Sequence, residues 1–199
     1  MSDIQNINKQ ITDVIALEKQ KCFQDPIHML KKHCKIEHPL KGKIPFHLYP
    51  FQEETLRAFN ENRFNIVGKA RQMGISTLCA GHVVYNMLSK ESYKVLVIAT
   101  TQKVAQELFL KIKVMYDGLP SWLKKHAQIV NNNSTQLTLT NGSSVEAVSS
   151  NPDAARSKAL SLLIIDECVV GDTKIKIRNK ITGEIKEINI SELNDECYR

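Results

Sequence analysis

Apolar residues in this chain fall into short runs separated by amphipathic stretches. Over residues 1–21, Ile4, Ile7, Ile11, Val14, Ile15 and Leu17 keep roughly helical spacing, which predicts an amphipathic helix. Residues 25–43 are rich in Lys and His, and Pro45, Phe46, Tyr49 and Pro50 then mark an extended stretch. A helix is predicted over 52–60. Phe64-Asn65-Ile66-Val67 predicts a short buried strand, followed by a loop over 68–74 and a helix over 75–88. Lys94-Val95-Leu96-Val97-Ile98-Ala99 is apolar on both faces, as a central parallel strand is. A helix follows over 102–116. The runs 136–140 and 144–148 flank Asn141-Gly142, a strong two-residue hairpin signal. Leu162-Leu163-Ile164-Ile165 predicts a third buried strand, ending in Asp166-Glu167. Alternating strands and helices through residue 167 predict an α/β domain with a largely parallel sheet.

Composition narrows the class only a little. With 199 residues, 42% of them hydrophobic, the chain can build one globular domain with room for a small appendage. A formal net charge of +6 suits a nucleic-acid partner without establishing one. No run reaches the roughly 18–20 apolar residues that cross a bilayer, so no membrane association is expected. Met1-Ser2-Asp3-Ile4-Gln5 shows no signal-peptide pattern. The five cysteines are odd in number and scattered, at 22, 34, 79, 168 and 197, which points to free thiols in a reducing compartment. Cys22, His33, Cys34 and His38 lie close in sequence, but without paired Cys-x-x-Cys spacing they are not read as a zinc site. The charge is uneven. Residues 168–199 carry six basic and six acidic residues, so the whole excess lies in 1–167, which hold 21 basic and 15 acidic residues.

The densest chemistry lies in the strand–loop–helix over 64–88. Such a loop gathers backbone N–H groups and a helix N-terminus around a phosphate. Here it comprises Lys69, Ala70, Arg71, Gln72, Met73, Gly74, Ile75, Ser76 and Thr77. Ser76, or less favourably Thr77, places a hydroxyl on a Mg²⁺ ion bound to the β- and γ-phosphates of ATP. Asp166, at the end of a parallel strand where open α/β sheets bind ligands, is a second candidate Mg²⁺ ligand. Glu167 beside it is the candidate that orients and deprotonates the attacking water. The loop departs from the usual phosphate-loop pattern, which has Lys after the last glycine, because Ile75 holds that place. Developing negative charge must then be met by another cation; Arg71 is the first choice and Lys69 the second.

Four segments in order resemble the large subunits of phage terminases. Tyr49-Pro50-Phe51-Gln52 resembles their adenine-reading motif, with Gln52 facing the base edge and Tyr49 or Phe51 stacking on the ring. Ala70-Arg71-Gln72-Met73-Gly74-Ile75-Ser76-Thr77 resembles the deviant phosphate loop of T-even-like tailed phages, in which an early basic residue serves, favouring Arg71. Residues 162–167 resemble the Walker B strand, and Ser149-Ser150-Asn151-Pro152-Asp153-Ala154-Ala155-Arg156 resembles the stretch before it, making Arg156 a candidate phosphate sensor or DNA-coupling residue. The resemblance implies a P-loop NTPase fold of the ASCE/RecA-like kind with flanking helices. It implies ATP and Mg²⁺ as cofactors, and double-stranded DNA, a portal ring and a small terminase subunit as partners. It places the protein in the host cytoplasm, at the procapsid portal. A helicase-type ATPase shares the ATP motifs and remains an alternative, as does an inactive nucleic-acid-binding fragment of a broken gene.

Past residue 167 the pattern changes. Cys168-Val169-Val170-Gly171-Asp172-Thr173 leads into alternating residues about a Thr182-Gly183 turn, which predicts a β-hairpin. Cys168, Gly171, Asp172 and Thr173 resemble the start of an intein. That resemblance implies a thiol that attacks the carbonyl of Glu167. No Thr-x-x-His segment and no terminal His-Asn follow, so a complementary chain would supply the rest of the intein and of the terminase. The expected division is a helical, basic lead-in over 1–44, an incomplete ATPase domain over 45–167 and an intein fragment over 168–199.

Overall fold

The computed structural model describes residues 2–38, 40–70, 72–150, 159–166, 174–178 and 182–189. The amphipathic N-terminal run forms α1 (Ser2–Gln24), and Asp25 alone joins it to α2 (Pro26–His33). The Asp25 carboxylate accepts from Ile27 N–H at 2.8 Å, capping α2 with Pro26 in its first turn. Two short strands, β1 (Lys35–His38) and β2 (Gly42–Pro45), pair antiparallel. Neither α2 nor this hairpin was foreseen in the Lys/His-rich stretch. Then come α3 (Pro50–Glu61) and α4 (Ile75–Ser89).

The central sheet is built from β3 (Lys94–Ala99), β4 (Ile129–Asn132), β5 (Gln136–Leu139), β6 (Ser144–Ser149) and β7 (Leu162–Asp166) in the order β4-β5-β6-β3-β7. Between β3 and β4 lie α5 (Gln102–Gly118) and the single turn α6 (Ser121–Lys124). β3 runs parallel to both β6 and β7, whereas β4–β5 and β5–β6 are antiparallel. The sheet is therefore mixed rather than largely parallel. The cause is the Asn-Gly hairpin, with Gly142 at φ +79°, which returns the chain beside itself instead of crossing over. A further antiparallel hairpin, β8 (Lys174–Arg178) with β9 (Ile185–Asn189), follows.

One expected element is missing. Residues 64–67 form no strand; Phe64 is 83% and Ile66 59% exposed. An apolar run favours burial but needs a neighbouring strand to complete its ladder, and this segment has none among the described residues. It runs instead beside α3, where Ile66 and Val67 share a groove with Phe51 and Phe59.

The core centres on α4, which α1, α2, α3 and α5 surround. This explains why the helix is apolar around nearly its whole circumference. Met29, Leu30 and Cys34 bury in the same cluster as Leu56, Leu78, Val83, Leu88 and the α5 residues Leu108, Phe109 and Ile112. The far end of α4 is tied to the hairpin turn: Asn141 Nδ2 donates to Met87 O at 2.8 Å and to Lys90 O at 3.0 Å, satisfying carbonyls a helix end leaves open. No helix among the described residues is long and apolar enough to cross a membrane.

Candidate active site

Three chain segments meet at the carboxyl ends of the parallel strands. Register aligns Ala99 of β3 with Ser149 of β6 on one side and with Asp166 of β7 on the other, so these strands stop together at one edge, where open sheets bind ligands. Gln102 braces it: its Oε1 accepts from Ser149 N–H at 3.1 Å and its Nε2 donates to Ala147 O at 3.3 Å. The sequence showed Gln102 only as a helix start, because a side chain that reaches backbone in another strand leaves no local pattern.

The start of α4 arrives at the same edge. Gln72 and Gly74 both take left-handed backbone, at φ +65° and +71°. Such a conformation is natural to glycine and strained for glutamine. The tight bend aims the first turn of α4 at β7, and Ser76 Oγ donates to Asp166 Oδ2 at 2.8 Å. Lys69 Nζ lies 3.6 Å from Asp166 Oδ1. A hydroxyl, a carboxylate and a cation, separated by up to 97 positions of sequence, thus converge. Cys79, one turn further along α4, has its thiol pushed up to about 12, first by burial and then by the Asp166 carboxylate.

Behind the loop, Gln52 is 2% exposed. Its Oε1 accepts from Tyr49 N–H at 3.1 Å, satisfying the N-cap amide at the start of α3. Its Nε2 donates to Met73 O at 3.0 Å. One amide therefore joins the start of α3 to the loop. Tyr49 and Phe51 stack on each other, with ring centroids 5.8 Å apart and planes 6° from parallel, and Tyr49 is 64% exposed. Phe51, Phe59, Ile66, Val67, Lys69 and Met73 line a groove of about 430 Å³ between α3 and the loop, within the size range of small-molecule sites.

The structure thus brings together Lys69, Ser76 and Asp166, and joins Gln52 and Tyr49 to Met73 and Gly74. Ile75 is buried at the head of α4, and Thr77 follows Ser76 there at intermediate exposure. Ala70 is exposed at the end of the described part of the loop. Arg71, Arg156, Glu167 and Cys168 lie outside the described residues, as do Gly171, Asp172 and Thr173.

The profile of the family described as phage terminase large subunit gpA, ATPase domain, matches residues 39–181. Among solved structures, the large terminase of bacteriophage HK97 is similar to this chain with a TM-score of 0.59 and 20% sequence identity, over 76% of this chain and 32% of its own. At that identity the likeness is one of fold, and this chain spans about a third of that protein's length.

Proposed function

The chain belongs to the phage terminase large subunit gpA family through its ATPase domain, and from that premise we propose that residues 45–167 bind and hydrolyse ATP to drive double-stranded DNA packaging. The observation that carries this reading is the 2.8 Å contact between Ser76 Oγ and Asp166 Oδ2 at the head of α4. Hydroxyl and carboxylate oxygens are the hard donors that suit Mg²⁺, and the exposed N–H groups of a helix start suit phosphate. When bound with ATP, Mg²⁺ neutralises charge on the β- and γ-phosphates.

This chain's own residues would supply the rest. Ser76 and Asp166 would hold the ion, with Thr77 the second candidate hydroxyl. The loop from Lys69 through Ala70, Arg71, Gln72, Met73 and Gly74 to Ile75 would present its backbone to the phosphates. Arg71 would face the charge that grows on the γ-phosphate, with Lys69, already beside Asp166, as its rival. Glu167 would orient the attacking water and take its proton. Tyr49 or Phe51 would stack on the adenine. Gln52 would read the base edge, and its present bonds make it also the residue that holds the loop against α3. Arg156 would sense phosphate or couple to DNA.

We further infer that residues 168–199 are an intein fragment. The Cys168 thiol attacks the carbonyl carbon of Glu167; a C–S bond forms, the C–N bond breaks, and the thiol proton passes to the freed amine of Cys168. The Glu167 acyl group, now a thioester, goes to a nucleophile on a complementary chain that carries the remaining terminase. In this reading hydrolysis is efficient only after joining, and the joined protein works in the host cytoplasm at the procapsid portal with the small terminase subunit. A second reading, that Cys168 and the first strand of the hairpin continue the terminase itself, is favoured by the family match running on to residue 181.

The ATP reading is tested by nucleotide binding to the 199-residue chain with and without Mg²⁺. Binding should strengthen with Mg²⁺, and Asp166→Asn should remove that gain. Affinity indifferent to both would refute it.

A further inference from the structure

Away from the nucleotide site, four side chains with metal-ligating atoms converge where α1 meets α2. Glu18 and Cys22 stand one helical turn apart on the same face of α1. His28 and His33 come from α2. One ligand atom from each lies within 4.8 Å of all the others. His28 Nε2 is 2.8 Å and His33 Nε2 2.9 Å from the same Glu18 Oε1, and Cys22 Sγ is 4.0 Å from it.

We propose that Glu18, Cys22, His28 and His33 form a structural zinc site that clamps α1 to α2. One thiolate, two imidazoles and one carboxylate are the donors zinc prefers in four-coordinate sites. Bond lengths of about 2.0–2.3 Å at tetrahedral angles put ligand atoms roughly 3.3–3.5 Å apart. The observed 2.8–4.0 Å contacts to Oε1 bracket that spacing and all four atoms lie within 4.8 Å of one another, so side-chain adjustments of up to about 1.5 Å complete it. The charges also balance, since a carboxylate and a thiolate neutralise a dication.

The surroundings suit a closed site. Cys22 is fully buried, the His33 side chain is 12% exposed, and Trp122 packs edge-on against the His33 ring at 5.2 Å. Lys32 Nζ, 3.0 Å from Glu18 Oε1, belongs to a side chain 54% exposed and can turn into solvent when an ion takes its place. An ion-pair network about Glu18 needs no sulfur, whereas a metal site uses the buried thiol. Four protein ligands leave no open position, so the role is structural rather than catalytic. Asp25 is the only residue between the two helices, and the ion would fix the angle at which α1 leaves the core.

The test is metal binding to the chelator-treated 199-residue chain, using Zn²⁺ and Co²⁺ as probes. One ion should bind per chain. The cobalt form should show the strong visible bands of four-coordinate Co²⁺ with a sulfur-to-cobalt charge-transfer band, and zinc should raise Tm. Cys22→Ser should remove the charge-transfer band. His28→Ala or His33→Ala should weaken zinc by at least the ten- to hundredfold that losing even an outer partner entails, while His47→Ala changes nothing. A folded wild-type chain that gives no sulfur charge-transfer band overturns the proposal, and that measurement stands even if the variants fail to fold. Undiminished zinc affinity in folded Cys22→Ser and His33→Ala would also overturn it.

Discussion

Replacing Gly74 by alanine tests the join between the 68–74 loop and α3. Gly74 sits at φ +71°, and a Cβ there would stand 2.7 Å from Gln52 Nε2. Two penalties follow. Left-handed backbone costs a residue with a Cβ about 1–2 kcal/mol. Moving the Gln52 amide aside breaks its bond to Met73 O in a site only 2% exposed, and a buried polar group left unsatisfied costs about 1–3 kcal/mol. The lower entropy of the unfolded alanine chain returns about 0.4–1 kcal/mol. Gly74→Ala should therefore destabilise by about 1–5 kcal/mol. In a Gln52→Ala background the obstructing amide is absent, so only the backbone term remains and the second substitution should cost clearly less. The assay is urea unfolding of the 199-residue chain and its three variants, followed by circular dichroism and compared at matched m-values. Additivity within about 0.5 kcal/mol would show that the amide and the glycine do not meet. A Gly74→Ala chain as stable as wild type would refute the left-handed assignment as well.

Three further outcomes are expected. Burial, with a smaller push from Lys90, holds the His82 imidazole down to about 4, against about 6.5 when unfolded; between those values the unfolded chain binds more protons, so stability should fall as pH is lowered from 6.5 to 4, by about 3 kcal/mol in all. His82→Met should flatten that part of the curve, and an unchanged slope in urea titrations across pH would exclude His82 as the cause. In the joined protein Arg71→Ala should lower ATP turnover roughly a thousandfold or more with the fold intact; near-normal turnover would move the role to Lys69 and call for Lys69→Ala. Mixing the chain with its complementary partner should yield a junction peptide in which Glu167 is followed directly by partner sequence, and Cys168→Ala should abolish it; mass spectrometry that finds residues 168–199 retained would support the continuous-terminase reading.

What could be read from the sequence depended on whether a segment's structure is set by its own neighbours. The strand at 94–99 was legible because a strand buried on both faces needs an unbroken apolar run; the run at 162–165 also forms a strand but not the buried one expected, since β7 is the last of the described strands in the sheet and leaves Leu163 43% and Ile165 56% exposed. The helix at 75–89 was legible from its length and its entry glycine. The run at 64–67 looked the same but has no partner strand among the described residues, and partners are not encoded locally. The helix at 26–33 was hidden because Met29 and Leu30, both fully buried, sit among Lys and His. At the candidate site, Asp166 ends a strand as the sequence led one to expect, but the loop was read after a strand at 64–67 that does not form, and the reach of Gln102 to Ser149 and of Gln52 to Met73 depended on the fold. The metal-ligating set shows the same limit. Proximity in sequence grouped Cys34 and His38 with Cys22 and His33; helix geometry instead brings Glu18 and His28 to them.

The enclosure of α4 also sets a gradient in time. From residue 75 onward the helix is packed by four others, so its amide hydrogens should be among the slowest to exchange, opening only when much of the core opens. From 63 to 70 every residue is exposed and no helix or strand ladder holds the backbone, so those amides should exchange at nearly the rate of free peptide. The step between the two regimes falls within a few residues of Gly74. A phosphate seated there would touch a lip that opens and closes readily on one side and a helix that hardly opens on the other. Protection spreading back from residue 75 toward 68 would then report nucleotide occupancy, with α4 as an internal reference that does not change.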